Sequence, residues 1–164
     1  MPERETIERA HEDKAEGKSP STQAGEFVRE EMHHIREGKH GARSTKQAIA
    51  IGLSKARRSG VKLQPSKSSS SRTRTKAKRD LAKGKSRRRK TSRKRSRAVE
   101  GALRREGHSA ASRKSLSSQA RSSARRRGAS ARSAAARKAV RTKGARARSA
   151  AAKKAARTRA RQSR

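Results

Sequence analysis

Histidines and carboxylates crowd one stretch of this chain, and together they offer the ligand atoms of a metal site. The residues concerned are Glu30, Glu31, His33, His34, Glu37 and His40. Imidazole nitrogens and carboxylate oxygens both bind Zn²⁺. Neighbouring histidines on a helix point about 100° apart, however, and the stretch has neither an HxxxH nor an HExxH spacing. We therefore interpret these side chains as solvated polar positions and predict no metal or cofactor.

The motifs of common enzymes are missing as well. The chain has no Cys, so thiol nucleophiles and thiolate metal sites are excluded. Its many serines include no GxSxG motif, and neither GxGxxG nor GxxxxGK[ST] occurs. We predict a non-enzymatic protein without a small-molecule substrate. The charged N-terminus and the lack of a run of 18 apolar residues predict no membrane association and a cytoplasmic location.

Lys and Arg carry the chemistry that the sequence does favour. Residues 65–164 hold 37 of the 50 basic residues but only three acids. Duplex DNA presents one charge per about 1.7 Å, so such a tail balances roughly 17 base pairs. Nucleic acid is the predicted partner. The positions predicted to contact phosphate are Arg87, Arg88, Arg89, Lys90, Arg93, Lys94, Arg95, Arg125, Arg126, Arg127, Arg137, Lys138, Lys153 and Lys154.

The aromatic content favours DNA over RNA. Phe27 is the single aromatic residue, since Tyr and Trp are absent, so the stacking platforms of RNA-recognition folds are missing. We predict largely sequence-independent DNA binding. The alternatives are an RNA- or ribosome-associated basic protein, and a protein-interaction adaptor with a nonspecific nucleic-acid anchor. A helix-turn-helix reader is a further alternative, although its connection would be seven residues rather than the usual three or four.

Few large apolar residues are available to position these side chains. Leu, Ile, Val and Phe number 14 of 164 residues, a proportion at which highly charged chains are expected to be disordered. We therefore predict a mostly disordered chain with all-α elements. It divides into a frayed, solvated helix (1–18), a helical hairpin (19–64), a disordered linker (65–109) and a basic arm (110–164).

Capping signals delimit the predicted hairpin. Ser19 with Pro20 is typical of a helix start, Ser44 with Gln47 has the form of a capping box, and Gly60 ends the second helix. Two such helices predict an antiparallel αα-hairpin. Ile51 points about 160° away from the apolar stripe, so we predict a homodimer or protein contact there; a lone exposed residue of no consequence is the alternative. The predicted core is Phe27, Val28, Met32, Ile35, Ile49, Leu53 and Ala56.

The arm contains two related segments, 131–144 and 147–160, which are rich in Ala, Arg and Lys. These are strong helix formers, but their charges repel one another. We predict that helices at about 110–127, 130–143 and 146–160 form only when phosphate relieves this repulsion.

The stretch 21–62, with its core KQAIAIGLSKARRSG at 46–60, resembles a family of short basic bacterial proteins of unknown function, some labelled plasmid stabilisation proteins. The C-terminal hundred residues of the chain are similar in composition to the tails of linker-histone-like, nucleoid-associated proteins. These resemblances imply a bacterial, nucleoid-associated role, and they imply no particular functional residues.

Overall fold

The structure, a computed structural model, describes residues 2–66, 69–86 and 92–162. All regular secondary structure in these ranges is helical. The chain forms two compact units, which we call the head (Met1–Gln119) and the arm (Ala120–Arg164). The helices are α1 (Arg4–Ala15), α2 (Pro20–Arg36), α3 (Thr45–Arg58), α4 (Ser71–Lys85), α5 (Arg93–Arg104), a 3-10 turn (Ser109–Ala111), α6 (Arg113–Arg126) and α7 (Gly128–Gln162).

The starts of α2 and α3 follow the predicted capping residues. Ser19 precedes α2, and its hydroxyl accepts a hydrogen bond from the Thr22 amide. Ser44 precedes α3, and its hydroxyl accepts from the Gln47 amide at 3.2 Å. The Gln47 side chain returns the bond one residue earlier than in a standard capping box, because it accepts from the amide of Arg43. Side-chain oxygens thus satisfy amides that a helix start leaves unpaired.

α3 ends as its glycine predicts. Gly60 has φ 97°, a left-handed conformation that favours glycine. The amide of Val61 donates to the Ala56 carbonyl, and the amide of Gly60 donates to the Arg57 carbonyl. This is the Schellman pattern, and the buried Val61 side chain supplies its apolar contact.

α2 and α3 pack as an antiparallel hairpin joined by residues 37–44. Met32, late in α2, shares a buried cluster with Ala48, whereas Phe27, earlier in α2, shares another with Ala56. Of the predicted core, Phe27, Met32, Ile35 and Ala56 are buried, and Val28, Ile49 and Leu53 pack against them half-buried.

Gly52 sets how closely the two helices approach. A Cβ atom at this position would lie 2.7 Å from the Cα atom of Val28 and 3.0 Å from the carbonyl oxygen of Phe27. Real Cβ atoms do not come this close to a backbone atom, so only glycine fits between α2 and α3 at this distance.

α1 packs against α2, which corrects the prediction of a solvated helix. Its residues Thr6, Ala10 and Asp13 are buried, and Ala10 joins the cluster around Phe27. Arg9 reaches across to Glu26 with an N···O distance of 2.9 Å. The sequence pattern misleads here because small and polar side chains form most of this contact, with Ile7 as the one large apolar side chain of α1 that packs against the cluster.

The prediction of a mostly disordered chain is wrong. α4 forms within the supposed linker and docks on α3, where Asp80 accepts hydrogen bonds from Ser54 and Arg58. Gly84 lies so close to α3 that a Cβ atom would stand 2.3 Å from the Arg57 carbonyl oxygen. A serine cap, strong helix formers and docking through small and polar residues hold α4, whose one large apolar residue is the half-buried Leu81.

Ile51 lies on the same face of α3 as Ser54 and Arg58, at the helical spacing i, i+3, i+7. It is half-buried, and α4 of the same chain contacts this face. The protein contact predicted at Ile51 stays a prediction. Homodimerisation remains a prediction.

Residues 103–112 close over the loop between α2 and α3. The amide of Gly41 donates to the Leu103 carbonyl at 2.9 Å, and the amide of Ala42 donates to the Gly107 carbonyl at 3.1 Å. Thr45 adds a buried hydrogen bond of 2.7 Å from its hydroxyl to the Ala110 carbonyl. This contact depends on backbone atoms, and that is why residue types did not predict it.

The arm is helical, which corrects the prediction of a disordered tail. α7 begins at Gly128, and its two portions meet at Gly144, where φ is 61° and ψ is 165°. The related segments 131–144 and 147–160 therefore fall on either side of this kink, close to their predicted bounds. No helix in the described ranges combines the length and apolar character needed to cross a membrane.

Candidate functional site

The arm presents a dense cationic surface. Between Ala120 and Arg164 the sequence has 17 Lys and Arg residues and no Asp or Glu. Every side chain described in α7 is exposed to solvent. The arm thus has many guanidinium and ammonium groups facing water and no Asp or Glu side chain of its own to pair with them.

The second portion of α7 gathers most of its bases on one face. At 100° per residue, five of them fall within an arc of about 100°, over a length of about 22 Å. Arg148 and Arg159 lie on the opposite face. This row places five cationic side chains along one side of the helix. The five are Arg146, Lys153, Lys154, Arg157 and Arg161.

The other predicted phosphate contacts are spread along the chain. Arg93, Lys94 and Arg95 form the exposed first turn of α5. Arg125, Arg126 and Arg127 are exposed at the end of α6, and Arg137 and Lys138 lie in the first portion of α7. Arg87, Arg88, Arg89 and Lys90 lie outside the described residues.

Two bases of α3, Arg57 and Arg58, are engaged within the head, which disfavours a helix-turn-helix reader. Arg58 pairs with Asp80 at 2.8 Å, and Arg57 donates to the Leu63 carbonyl at 3.0 Å. Partial burial also lowers the pKa of the Arg57 guanidinium. A recognition helix needs free side chains on a face that can enter a groove, whereas α3 is contacted by both α2 and α4.

A second cluster of charged side chains is buried inside the head. Glu31 is 0% exposed, and Glu30 is buried beside it. The Nζ atom of Lys55 on α3 lies 2.7 Å from Glu31 Oε2 and 3.3 Å from Glu30 Oε1. Three oxygens, Glu30 Oε2 and both of Glu31, accept no hydrogen bond from any described residue. Buried carboxylates usually have such partners, so this cluster calls for an explanation.

Two histidine rings complete this cluster. His34, buried on α2, contacts Glu3 through Nε2 at 2.8 Å. His40, in the loop after α2, contacts the Gly41 carbonyl through Nδ1 at 3.0 Å and points Nε2 toward Glu31 Oε1 at 3.3 Å. One ligand atom from each of Glu31, His34 and His40 lies within 4.8 Å of the others.

The interpretation of these residues as solvated is therefore wrong for Glu30, Glu31 and His34. His33 does agree with it, since its side chain is 67% exposed and pairs with Glu37. The 100° angle between His33 and His34 separates these two rings, as expected. The angle says nothing about His40, which the loop after α2 brings back beside His34. The alternation of exposed and buried positions on an amphipathic α2 is the signal that places Glu31 and His34 inside.

Comparison with known proteins adds a family but no activity. Residues 19–68 match the model of a family of unknown function (DUF6496). This confirms the resemblance of the hairpin to a family of unknown function. The matched stretch includes the hairpin, the buried residues Glu30, Glu31 and His34, and the half-buried His40 and Lys55. Neither the curated proteins nor the solved structures include a match to this chain.

Proposed function

We propose that this protein binds duplex DNA through its phosphate backbone, without reading base sequence, as histone-like and nucleoid-associated proteins do. The observation that carries the proposal is the charge of the arm, with 17 basic residues, no acidic residue and exposed helical faces. A charge of this size repels itself unless a polyanion lies beside it. At one charge per about 1.7 Å, the arm balances about 29 Å of duplex, or roughly 8 base pairs.

The head supports a duplex rather than a single strand as the ligand. Single-strand binding proteins stack successive bases on exposed aromatic rings. Phe27, the only Phe, Tyr or Trp in the chain, is 0% exposed. Binding must then depend on phosphate contacts, which position a protein on the duplex but carry no base information.

The proposal predicts that DNA affinity falls steeply with salt concentration, and that removing phosphate-contacting bases makes this fall less steep. We would measure fluorescence anisotropy of the full chain with two unrelated duplexes of about 30 base pairs over a salt series. Replacing Arg125, Arg126 and Arg127 by Gln should reduce the slope of log K against log salt by about 2.7, since each phosphate contact contributes about 0.9. The same three residues replaced by Lys are the matched control, and this variant should keep the slope.

Two results would contradict the proposal. A large preference for one of the two duplexes would show base reading, and an equal slope in the Gln and wild-type proteins would show that these bases do not contact phosphate. Competition with structured RNA decides between DNA and RNA, because equal or tighter RNA binding favours an RNA- or ribosome-associated role.

In a bacterial cell, we propose a cytoplasmic, nucleoid-associated location and a role in plasmid maintenance. Deletion should then raise the rate of plasmid loss.

A further inference from the structure

The buried charges of the head do not balance. Glu30 and Glu31 are buried together, and Lys55 is the one ammonium group placed between them among the described residues. Although Lys55 lies close, neither oxygen of Glu31 accepts a hydrogen bond from a described residue. A buried carboxylate without full compensation is costly. With both imidazole rings neutral, the cluster therefore has room, in charge, for one more cation.

The orientation of the two histidines shows where that cation belongs. The Gly41 carbonyl can only accept a hydrogen bond, so the His40 Nδ1 atom carries the proton. In the neutral ring, Nε2 then presents a lone pair to Glu31 Oε1 at 3.3 Å. Likewise, when His34 donates from Nε2 to Glu3, its Nδ1 lone pair faces Glu30 Oε1 at 3.9 Å. Lone pairs that face carboxylate oxygens repel one another unless a proton or a metal cation lies between them.

The distances suit a tetrahedral metal ion. Zn²⁺ binds histidine nitrogen at about 2.0–2.1 Å and carboxylate oxygen at about 2.0–2.2 Å, which puts two such ligand atoms about 3.3 Å apart. The His40 Nε2 and Glu31 Oε1 atoms are 3.3 Å apart. The three ligand atoms lie within 4.8 Å of one another, so a movement of about 1.5 Å completes tetrahedral spacing.

The surroundings of these ligands also resemble a metal site. Histidines that bind metal usually donate their other nitrogen to a carboxylate or a backbone carbonyl, which fixes the ring and its tautomer. Glu3 has this position next to His34, and the Gly41 carbonyl has it next to His40. The Lys55 ammonium group pairs with Glu31 Oε2 at 2.7 Å, so Glu31 Oε1 is available to bind a metal. Two imidazoles and a carboxylate favour zinc over calcium or magnesium, which prefer oxygen ligands alone.

We propose that the head binds one Zn²⁺ ion through Glu31, His34 and His40. The ion ties α2 to the loop that follows it, and Glu3 of α1 positions His34. This proposal does not depend on nucleic-acid binding, and either can fail without the other.

The test uses the full chain, freed of nucleic acid and dialysed against EDTA. Calorimetric titration with Zn²⁺ should give one ion per chain, and Co²⁺ should develop the visible absorption of a four-coordinate site. H40Q should lower the affinity by at least about 100-fold, and E3A, which removes a positioning residue, by about 10-fold. H33Q is the matched control, because His33 neighbours His34 on α2 but is exposed. It should keep the wild-type affinity.

Circular dichroism of each variant checks that the helices persist. If H40Q does not fold, E31Q replaces it, since the amide has nearly the size of the carboxylate and removes only the charged ligand. The proposal is overturned if the wild-type chain binds no stoichiometric Zn²⁺. It is equally overturned if a folded H40Q or E31Q binds as tightly as wild type, or if H33Q loses as much affinity as H40Q.

Discussion

Gly52 offers the sharpest test of the way α2 and α3 pack. Its absent side chain lets the backbones approach so closely that an added Cβ atom would stand 2.7 Å from Val28 Cα. The atoms it meets belong to the α2 backbone, which cannot turn aside as a flexible side chain can. G52A must therefore push the two helices apart or strain both.

A matched control separates this clash from the general effect of alanine. Gly25 lies inside α2, and a Cβ atom there would meet nothing within 4 Å. Both substitutions gain about 1 kcal/mol of helix propensity and the same reduction in unfolded-state entropy. These gains cancel in the difference between the two variants. What remains is overpacking, about 1–3 kcal/mol.

Thermal unfolding followed by circular dichroism measures this difference. At about 4 °C per kcal/mol for a unit of this size, G52A should unfold about 4–12 °C below G25A, and G25A should unfold slightly above wild type. If G52A were as stable as G25A, the close approach of α2 and α3 would be refuted.

Two further predictions concern α4 and the end of α2. G84A should undock α4 from α3, because its Cβ atom would stand 2.3 Å from the Arg57 carbonyl oxygen. G101A is the control, since its Cβ atom would meet only the flexible Arg105 side chain, at 3.8 Å. Amide hydrogen exchange over residues 71–85 should accelerate in G84A alone, and equal protection in both variants would argue against docking. The hydrogen bond with Lys39 lowers the pKa of Glu37 below its ordinary 4.5. Because this pKa is lower in the folded chain, ionised Glu37 stabilises the head above about pH 4.5, and that contribution is lost as the pH falls through the folded pKa. The difference in unfolding temperature between wild type and E37Q should thus shrink from about pH 6 to about pH 3, and a constant difference would rule out the ion pair.

The hairpin was readable from the sequence because local rules determine it. Ser44, Gln47 and Gly60 act within a few residues of themselves, and the apolar stripe of α2 and α3 needs no knowledge of distant residues. The family model matches residues 19–68, a stretch that includes the hairpin. Where neighbours in the sequence decide the conformation, the pattern was sufficient.

The sequence did not predict the docking of α4 and of residues 103–112, because these contacts use small residues, polar side chains such as Asp80, and backbone atoms. A count of Leu, Ile, Val and Phe does not include the close approach of Gly84 to the Arg57 carbonyl, or the hydrogen bond from the Gly41 amide to the Leu103 carbonyl. The buried cluster was missed for a related reason. His40 and Glu3 come from outside α2, so a helical projection of α2 alone treats Glu31 and His34 as ordinary polar positions.

The contact between Gly41 and residues 103–112 also determines when the head can finish folding. Arg36 and Ala111 are hydrogen-bonded although 75 positions separate them. A ribosome adds about 5–20 residues per second, so roughly 2–9 s pass between the synthesis of residue 68 and that of residue 111. During this interval the hairpin loop lacks its cover, and cationic helices α4 and α5 leave the ribosome before the fold that encloses the loop is complete. A nascent chain stopped within this interval would expose amides that the finished protein pairs.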